Sequence, residues 1–207
     1  MTLKIFDISR PIAKGEPIYP GNAPVKLTHL KTFKKDKSVL SEIALGLHTA
    51  SHVDAPMHYV KNGKAVDKID LEECIGWARV IDATKYTEIG EREVSRISPK
   101  RGEIILFKTK NSRSLKKFDK HFAHLGESGA RVLVKAGVKA VGIDGPSIRK
   151  FRLRPDTVHP LLLKAGLVVY EGLQFRDIKP GRYYFMGFPL KIARGEGSPV
   201  RAVLVRG

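Results

Sequence analysis

From position 48 to 58 the chain reads His-Thr-Ala-Ser-His-Val-Asp-Ala-Pro-Met-His, placing three of its seven histidines and one aspartate within eleven residues. His48, His52, Asp54 and His58 are separated by even offsets of four, two and four. In an extended chain, even offsets send side chains out from one face. On a helix His48 and His52 would also be neighbours, but Asp54 would lie far round the cylinder, and Pro56 disfavours helical geometry at Ala55. The expectation is an extended segment that bends at Asp54-Ala55-Pro56, with its polar groups converging. Neutral imidazoles with a carboxylate suit Zn²⁺ or Mn²⁺. Soft thiolate ligation is limited to the single Cys74, which reads as a small apolar filler. Ala50, Ser51 and Ala55 are small enough to let the backbone approach an ion. One such histidine would read as a hydrogen-bonded loop residue; four convergent candidates read as a metal centre.

A centre of this kind needs rigid elements around it. Short apolar runs at 76–84, 102–109, 138–144 and 167–173 read as strands, as do closing segments at 182–190 and 200–207. Helical spacing runs from Ser128 to Ala136 and stops at Gly137, and a second short helix is expected over 159–166. Helix-then-strand order in the second half argues for α/β packing in which sheet predominates. With 207 residues and 42% hydrophobic content, the whole chain, 1–207, reads as one globular domain with a real core.

Composition narrows the partners. No stretch approaches the roughly 20 apolar residues of a membrane span, and the N-terminal residues lack an apolar leader core. One cysteine allows no intrachain disulfide, which points to the cytoplasm. Against 21 acidic residues stand 38 Lys and Arg, a net charge of +17, gathered only into short clusters at 31–37, 108–120 and 149–154. Such a balance raises an anionic partner as a second reading, a basic nucleic-acid-binding protein without chemistry. No zinc-finger spacing or aromatic RNA-binding run accompanies it.

The 48–58 stretch resembles the H-x-[GA]-[TS]-H-x-D-x-P-x-H signature of the cyclase family of metal-dependent hydrolases, which includes bacterial-type kynurenine formamidases (arylformamidases) and isatin hydrolases. Pro17-Ile-Tyr-Pro-Gly-Asn22 is similar to the family's Pro-x-aromatic-Pro-Gly segment, and 141–148 resembles its G-x-D-x-x-S strand end. Residues 159–173 look like its second metal-binding stretch. The resemblance implies a swivelling β/β/α domain, an α/β fold with a mixed barrel-like sheet and flanking helices. It also implies a homodimer or larger assembly. His48, His52 and Asp54 would hold a first ion, Zn²⁺ or alternatively Mn²⁺, and Asp54 would bridge to a second held by His159 and Glu171. His58 would shuttle protons. Glu171 fits independently, because it interrupts an apolar strand where an unpaired carboxylate is costly to bury. Asp144 and Ser147 lie at a strand end and fit capping or turn roles equally well. His29, His121 and His124 read as structural.

The implied activity is hydrolysis of a non-peptide carbon–nitrogen bond by metal-activated water, with N-formylkynurenine giving kynurenine and formate in tryptophan catabolism. A cyclic amide such as isatin is the alternative substrate. The family's formamidases carry Trp in the Pro-x-Trp-Pro-Gly segment where this chain has Tyr19, so Tyr19 is the expected substrate-binding residue and changes the depth of an aryl pocket.

Overall fold

The computed structural model describes residues 2–113 and 117–206. Its strands are β1 (Lys4–Asp7), β2 (Lys26–Lys31), β3 (Leu40–Ala44), β4 (His52–Asp54), β5 (Ile75–Asp82), β6 (Glu88–Ile89), β7 (Ile104–Lys108), β8 (His124–Leu125), β9 (Ala140–Ile143), β10 (Val168–Glu171), β11 (Gly181–Met186), β12 (Gly197–Pro199) and β13 (Val203–Arg206). The helices are α1 (Phe33–Asp36), α2 (Glu91–Arg96), α3 (Glu127–Ala136) and α4 (Val158–Lys164). Nine strands form one curled, mixed sheet in the order β1-β13-β11-β5-β7-β9-β10-β4-β12. Its centre, β5-β7-β9-β10, is parallel, and both flanks are antiparallel.

The parallel centre explains the continuous apolar runs, since strands covered on both faces carry no polar alternation. Ile104 and Leu106 of β7 enter one core, inside the curl, together with Tyr170, Phe175, Phe185 and Leu204. Ile105 and Phe107 enter the other, against Ala130 and Leu133 of α3 and Leu162 and Leu163 of α4. Gly137 closes α3 in the left-handed region at φ 70°, as its position after the last periodic residue predicts. This α/β sheet with flanking helices matches the expected fold class.

Three expectations shift. The 48–58 segment bends after Asp54 as expected, in a 3-10 turn over Pro56–His58, but its extended part is only His52–Asp54 (β4), and a second bend, which was not expected, lies at Ala50 with φ 54°. His48 and His58 therefore reach the site from bends on either side of a three-residue strand. Second, β1, the β2–β3 hairpin and β12 had no counterpart among the expected strands. Every residue of the hairpin strands is exposed, so no buried-face pattern marks them. Third, α4 begins at Val158, one residue ahead of its expected start. The 108–120 basic cluster lies partly outside the described residues.

Candidate metal centre

The register of β4 against β10 builds the floor of the site. His52 lies directly across from Glu171, and Asp54 across from Val169. Val53 and Tyr170 point into the core inside the curl, whereas Val169 faces the helices. His52, Asp54 and Glu171 therefore share the helix-facing side of the sheet. There α4 lowers His159 onto them, with Nε2 at 3.0 Å from Glu171 Oε1 and 3.4 Å from Asp54 Oδ2.

The junction between the two strands is held tightly. Gly172, at φ 65°, leaves so little room that a Cβ there would sit 2.1 Å from the Ala50 carbonyl oxygen. The Ser51 hydroxyl donates to the Gly172 carbonyl at 2.6 Å. Gly197 of β12 likewise lets His48 lie close over it, since a Cβ would come within 2.9 Å of the ring.

Each imidazole is oriented by its neighbours. His52 Nδ1 donates to the Ala50 carbonyl at 3.1 Å, and His159 Nδ1 donates to Asp156 Oδ2 at 2.8 Å. Both therefore turn Nε2 towards the carboxylates. His48 Nδ1 lies 2.8 Å from Asp54 Oδ1. The His58 ring packs 4.1 Å from that of His48, centroid to centroid. Ligating atoms of His48, Asp54 and His58 lie within 4.8 Å of one another, as do those of His52, Asp54 and Glu171, so Asp54 belongs to both groups.

Charge and burial make the cluster demanding. Asp54, Glu171, His52 and His159 are all nearly inaccessible to solvent. Burial alone would raise the Asp54 carboxyl, but the imidazoles of His159, His48 and His52 gathered round it hold it well below its usual range. Glu171 is held low in the same way: burial and the Asp54 charge oppose ionisation, and His159 and His52 outweigh them. Burial would lower His52 and His159, yet their carboxylate partners raise both. Carboxylates and imidazoles thus favour one another's charged forms, and a divalent cation can take the place of the protons that ligand groups must give up to bind it. His48 Nε2, His52 Nε2 and Asp54 Oδ2 are buried and lack a hydrogen-bond partner among the described residues. Unpaired buried polar atoms are costly. Converging nitrogen and oxygen donors with no other partner fit a metal ion.

Above the cluster lies a cavity of about 160 Å³, bounded among others by Tyr19, Asn22, His58, Tyr59, Ser147 and Arg149. Tyr19 stands against an aromatic wall, with its ring 5.6 Å from Phe118 and 5.5 Å from Phe151. The spacing rule missed three neighbours. Asp156 accepts from the Val158 and His159 backbone amides and from His159 Nδ1, and it lies 2.6 Å from Arg149 Nε. Tyr59 stacks on the His159 ring at 4.7 Å and 6°. An aspartate three residues before a candidate ligand at a helix start was the available signal for Asp156.

Other residues have plain structural roles. Asp144 accepts from the backbone amides and side-chain hydroxyls of Thr109 and Ser112, whereas Ser147 joins the site by donating to Glu171 at 3.2 Å. His124 lies 3.2 Å from Glu88, and His29 meets Ser41 at 2.9 Å. Cys74 is free and fully buried.

Residues 6–150 match the model of the Cyclase family, described as "Putative cyclase". The chain belongs to that family. A kynurenine formamidase of Salinibacter ruber is 32% identical over 206 residues, covering 98% of this chain and 97% of its own. A solved structure described as "Potential Metal-Dependent Hydrolase With Cyclase Activity" superposes with a TM-score of 0.90 at 30% identity, covering all of both chains. An isatin hydrolase bound to the product analogue thioisatinate shares the fold, with a TM-score of 0.89 at 18% identity over 99% of this chain and 92% of its own. Among the described residues no helix is long and apolar enough to cross a membrane.

Proposed function

We propose that this protein is a metal-dependent hydrolase of non-peptide carbon–nitrogen bonds, and that N-formylkynurenine, cleaved to kynurenine and formate, is its leading substrate. The observation that carries this reading is the buried set of unpartnered donor atoms on His48, His52 and Asp54, beside His159 and Glu171. The full-length likeness to a kynurenine formamidase supports the substrate.

His48, His52 and Asp54 would hold a first Zn²⁺ or Mn²⁺ ion, and Asp54, His159 and Glu171 a second. When bound, such an ion supplies a low-pKa water and polarises the carbonyl under attack. The chain's own residues do the rest. Asp54 presents both oxygens at the centre of the cluster. His58 stands beside it at the cavity wall, where burial and the neighbouring His48 lower its pKa, so at neutral pH the ring is free to accept a proton. It would take the proton of the attacking water and deliver it to the leaving amine. Tyr19 offers a ring edge or face to an aryl substrate, and its hydroxyl lies 3.5 Å from the Arg152 amide.

A homodimer fits the β2–β3 hairpin, which exposes Leu27, Leu30, Phe33, Val39, Leu40 and Ile43. An isolated hairpin of that kind is marginal in water. A reducing cytoplasm suits the one free thiol.

The decisive experiment combines metal analysis with a hydrolysis screen of N-formylkynurenine, isatin and simple aryl formamides under Zn²⁺ and Mn²⁺. One or two equivalents of metal, lost in His52→Ala, with turnover of the formamides is the expected result. No turnover across the panel removes the formamidase reading. Salt-sensitive binding of DNA or RNA by metal-free protein, without hydrolysis, would favour the nucleic-acid reading instead.

A further inference from the structure

Arg149 stands in the wall of the cavity over the metal cluster, its side chain 15% exposed. Among the described residues lining that cavity, it is the one cation outside the histidine cluster. Two of its three guanidinium nitrogens are placed by neighbours: Nε lies 2.6 Å from Asp156 Oδ2, and Nη1 donates to the Lys150 carbonyl at 2.9 Å and to the Leu153 carbonyl at 3.4 Å. Donor capacity remains: Nε is buried without an aligned hydrogen bond, and beyond Tyr59 and Tyr19, whose phenols lie beside the guanidinium in the cavity wall, nothing else among the described residues is shown to engage Nη2. A largely buried guanidinium with donors to spare calls for an acceptor. The rigid fork of arginine matches a carboxylate better than any other side chain does.

We infer that Arg149 is a carboxylate anchor, which makes the preferred substrate an aryl formamide carrying an anionic carboxylate rather than a neutral aryl amide or cyclic imide. The inference rests on the hydrolase reading and narrows its substrate class. In this reading the formamide takes the place at the metal cluster, and the rest of the cavity offers the carboxylate no second cation: Tyr19, Asn22, Tyr59 and Ser147 are neutral. The division of labour follows: the cluster below handles the formamide, the Tyr19 wall takes the ring, and Arg149 holds the carboxylate. Part of the basic run at 149–154 thereby acquires a purpose that the fold does not give it.

Arg149 also steadies Asp156, which orients His159, so the test must separate anchoring from positioning. Metal-loaded wild type, Arg149→Gln and Arg149→Lys are compared on N-formylkynurenine and on formanilide, which has no carboxylate. The anchor predicts a KM for N-formylkynurenine raised roughly 10- to 100-fold in Arg149→Gln, a loss at least tenfold smaller on formanilide, and partial recovery with lysine. Equal losses on both substrates, or none, would overturn it. Calorimetry with kynurenine and with kynuramine, the same aryl ketone without the carboxylate, reads the same contact without turnover. Wild type should bind the carboxylate at least tenfold more tightly, and Arg149→Gln should erase that preference. If wild type binds both alike, or Arg149→Gln keeps the preference, the anchor is wrong even in an active formamidase. If the preference holds while no formamide is hydrolysed, the anchor stands and the formamidase reading falls.

Discussion

The contact between Gly172 and Ala50 gives a sharp quantitative test, because it couples the geometry of the ligand-bearing strands to one missing methyl group. Gly172→Ala forces a Cβ onto a residue at φ 65°, and the Cβ would lie 2.1 Å from Ala50 O and 2.9 Å from Ala50 C. Gly166→Ala is the matched control: φ is 82°, with nothing within 4 Å of the new atom. The left-handed backbone costs about 1 kcal/mol for alanine at either site, partly offset by a stiffer unfolded chain. At Gly172 the oxygen must also retreat by 1.3 Å to reach the 3.4 Å at which ordinary contact begins. That movement breaks or stretches the Ser51 Oγ to Gly172 O bond of 2.6 Å and the Gly172 N to Gly145 O bond of 2.7 Å. Each buried hydrogen bond lost costs about 1–3 kcal/mol, so the total is about 4 kcal/mol, against about 1 for the control. For a chain of this size 1 kcal/mol is about 2–4 °C in Tm. Thermal denaturation should therefore drop by roughly 8–16 °C in Gly172→Ala and by only a few degrees in Gly166→Ala. The displaced Ala50 carbonyl also holds His52 Nδ1, so a competition titration should show metal affinity lowered about 10- to 100-fold. Equal melting temperatures and unchanged affinity in the two variants would refute the claim that this contact sets the site.

Three further outcomes follow from the same geometry. Asp156→Asn removes the charged acceptor of His159 Nδ1 and should weaken metal binding by about 10- to 100-fold in a chelator competition, while the helix start it caps stays formed by circular dichroism. His58→Ala should lower kcat by about 10²- to 10⁴-fold with metal content intact, and the wild-type rate should rise with pH through an acid limb below 6.5. The sign follows because a proton acceptor works only when neutral, and both burial and a nearby cation disfavour its protonated form. Zn²⁺ added to chelated protein at about 100 times its Kd should stabilise the fold by about 2.7 kcal/mol, some 5–11 °C in Tm; no shift would show that the cluster does not bind it.

The convergence of these side chains was legible because so few residue types suit metal chemistry. Three histidines and an aspartate at even spacing announce convergence, and a glutamate inside an apolar strand announces a partner. The bend read from Pro56 is there, as a 3-10 turn; what spacing did not reveal is the turn at Ala50, so only His52 and Asp54 obey the strand rule. The central strands were readable because both faces are buried. The hairpin at 26–44 and the three-residue β12 carry no such pattern, since one is exposed throughout and the other, Gly-Ser-Pro, has almost no side chains to pattern. Asp156, Tyr59 and Arg149 were missed for a different reason. Their importance depends on which side chains the loop before α4 and the turn after β4 bring to the same cavity, and that is a tertiary fact.

Two electrostatic environments of opposite sign follow from this arrangement. The surface carries most of the +17 charge, whereas Asp54, Glu171 and Asp156 are concentrated around one buried cluster. A positive exterior repels a dication and draws in anions, and the effect extends about 8 Å into solvent at physiological ionic strength. A metal bound there would therefore be retained by the short-range donors of the cluster rather than by the field of the whole protein. That is why burial of His52, His159 and both carboxylates matters: a low local dielectric strengthens coordination where long-range attraction opposes it. An anionic substrate meets the reverse situation, attracted from outside and then repelled by Glu171 and Asp54 unless a cation intervenes at the cavity wall. Arg149, tied back by Asp156 at Nε while its guanidinium lines the cavity, stands at the boundary between those two fields.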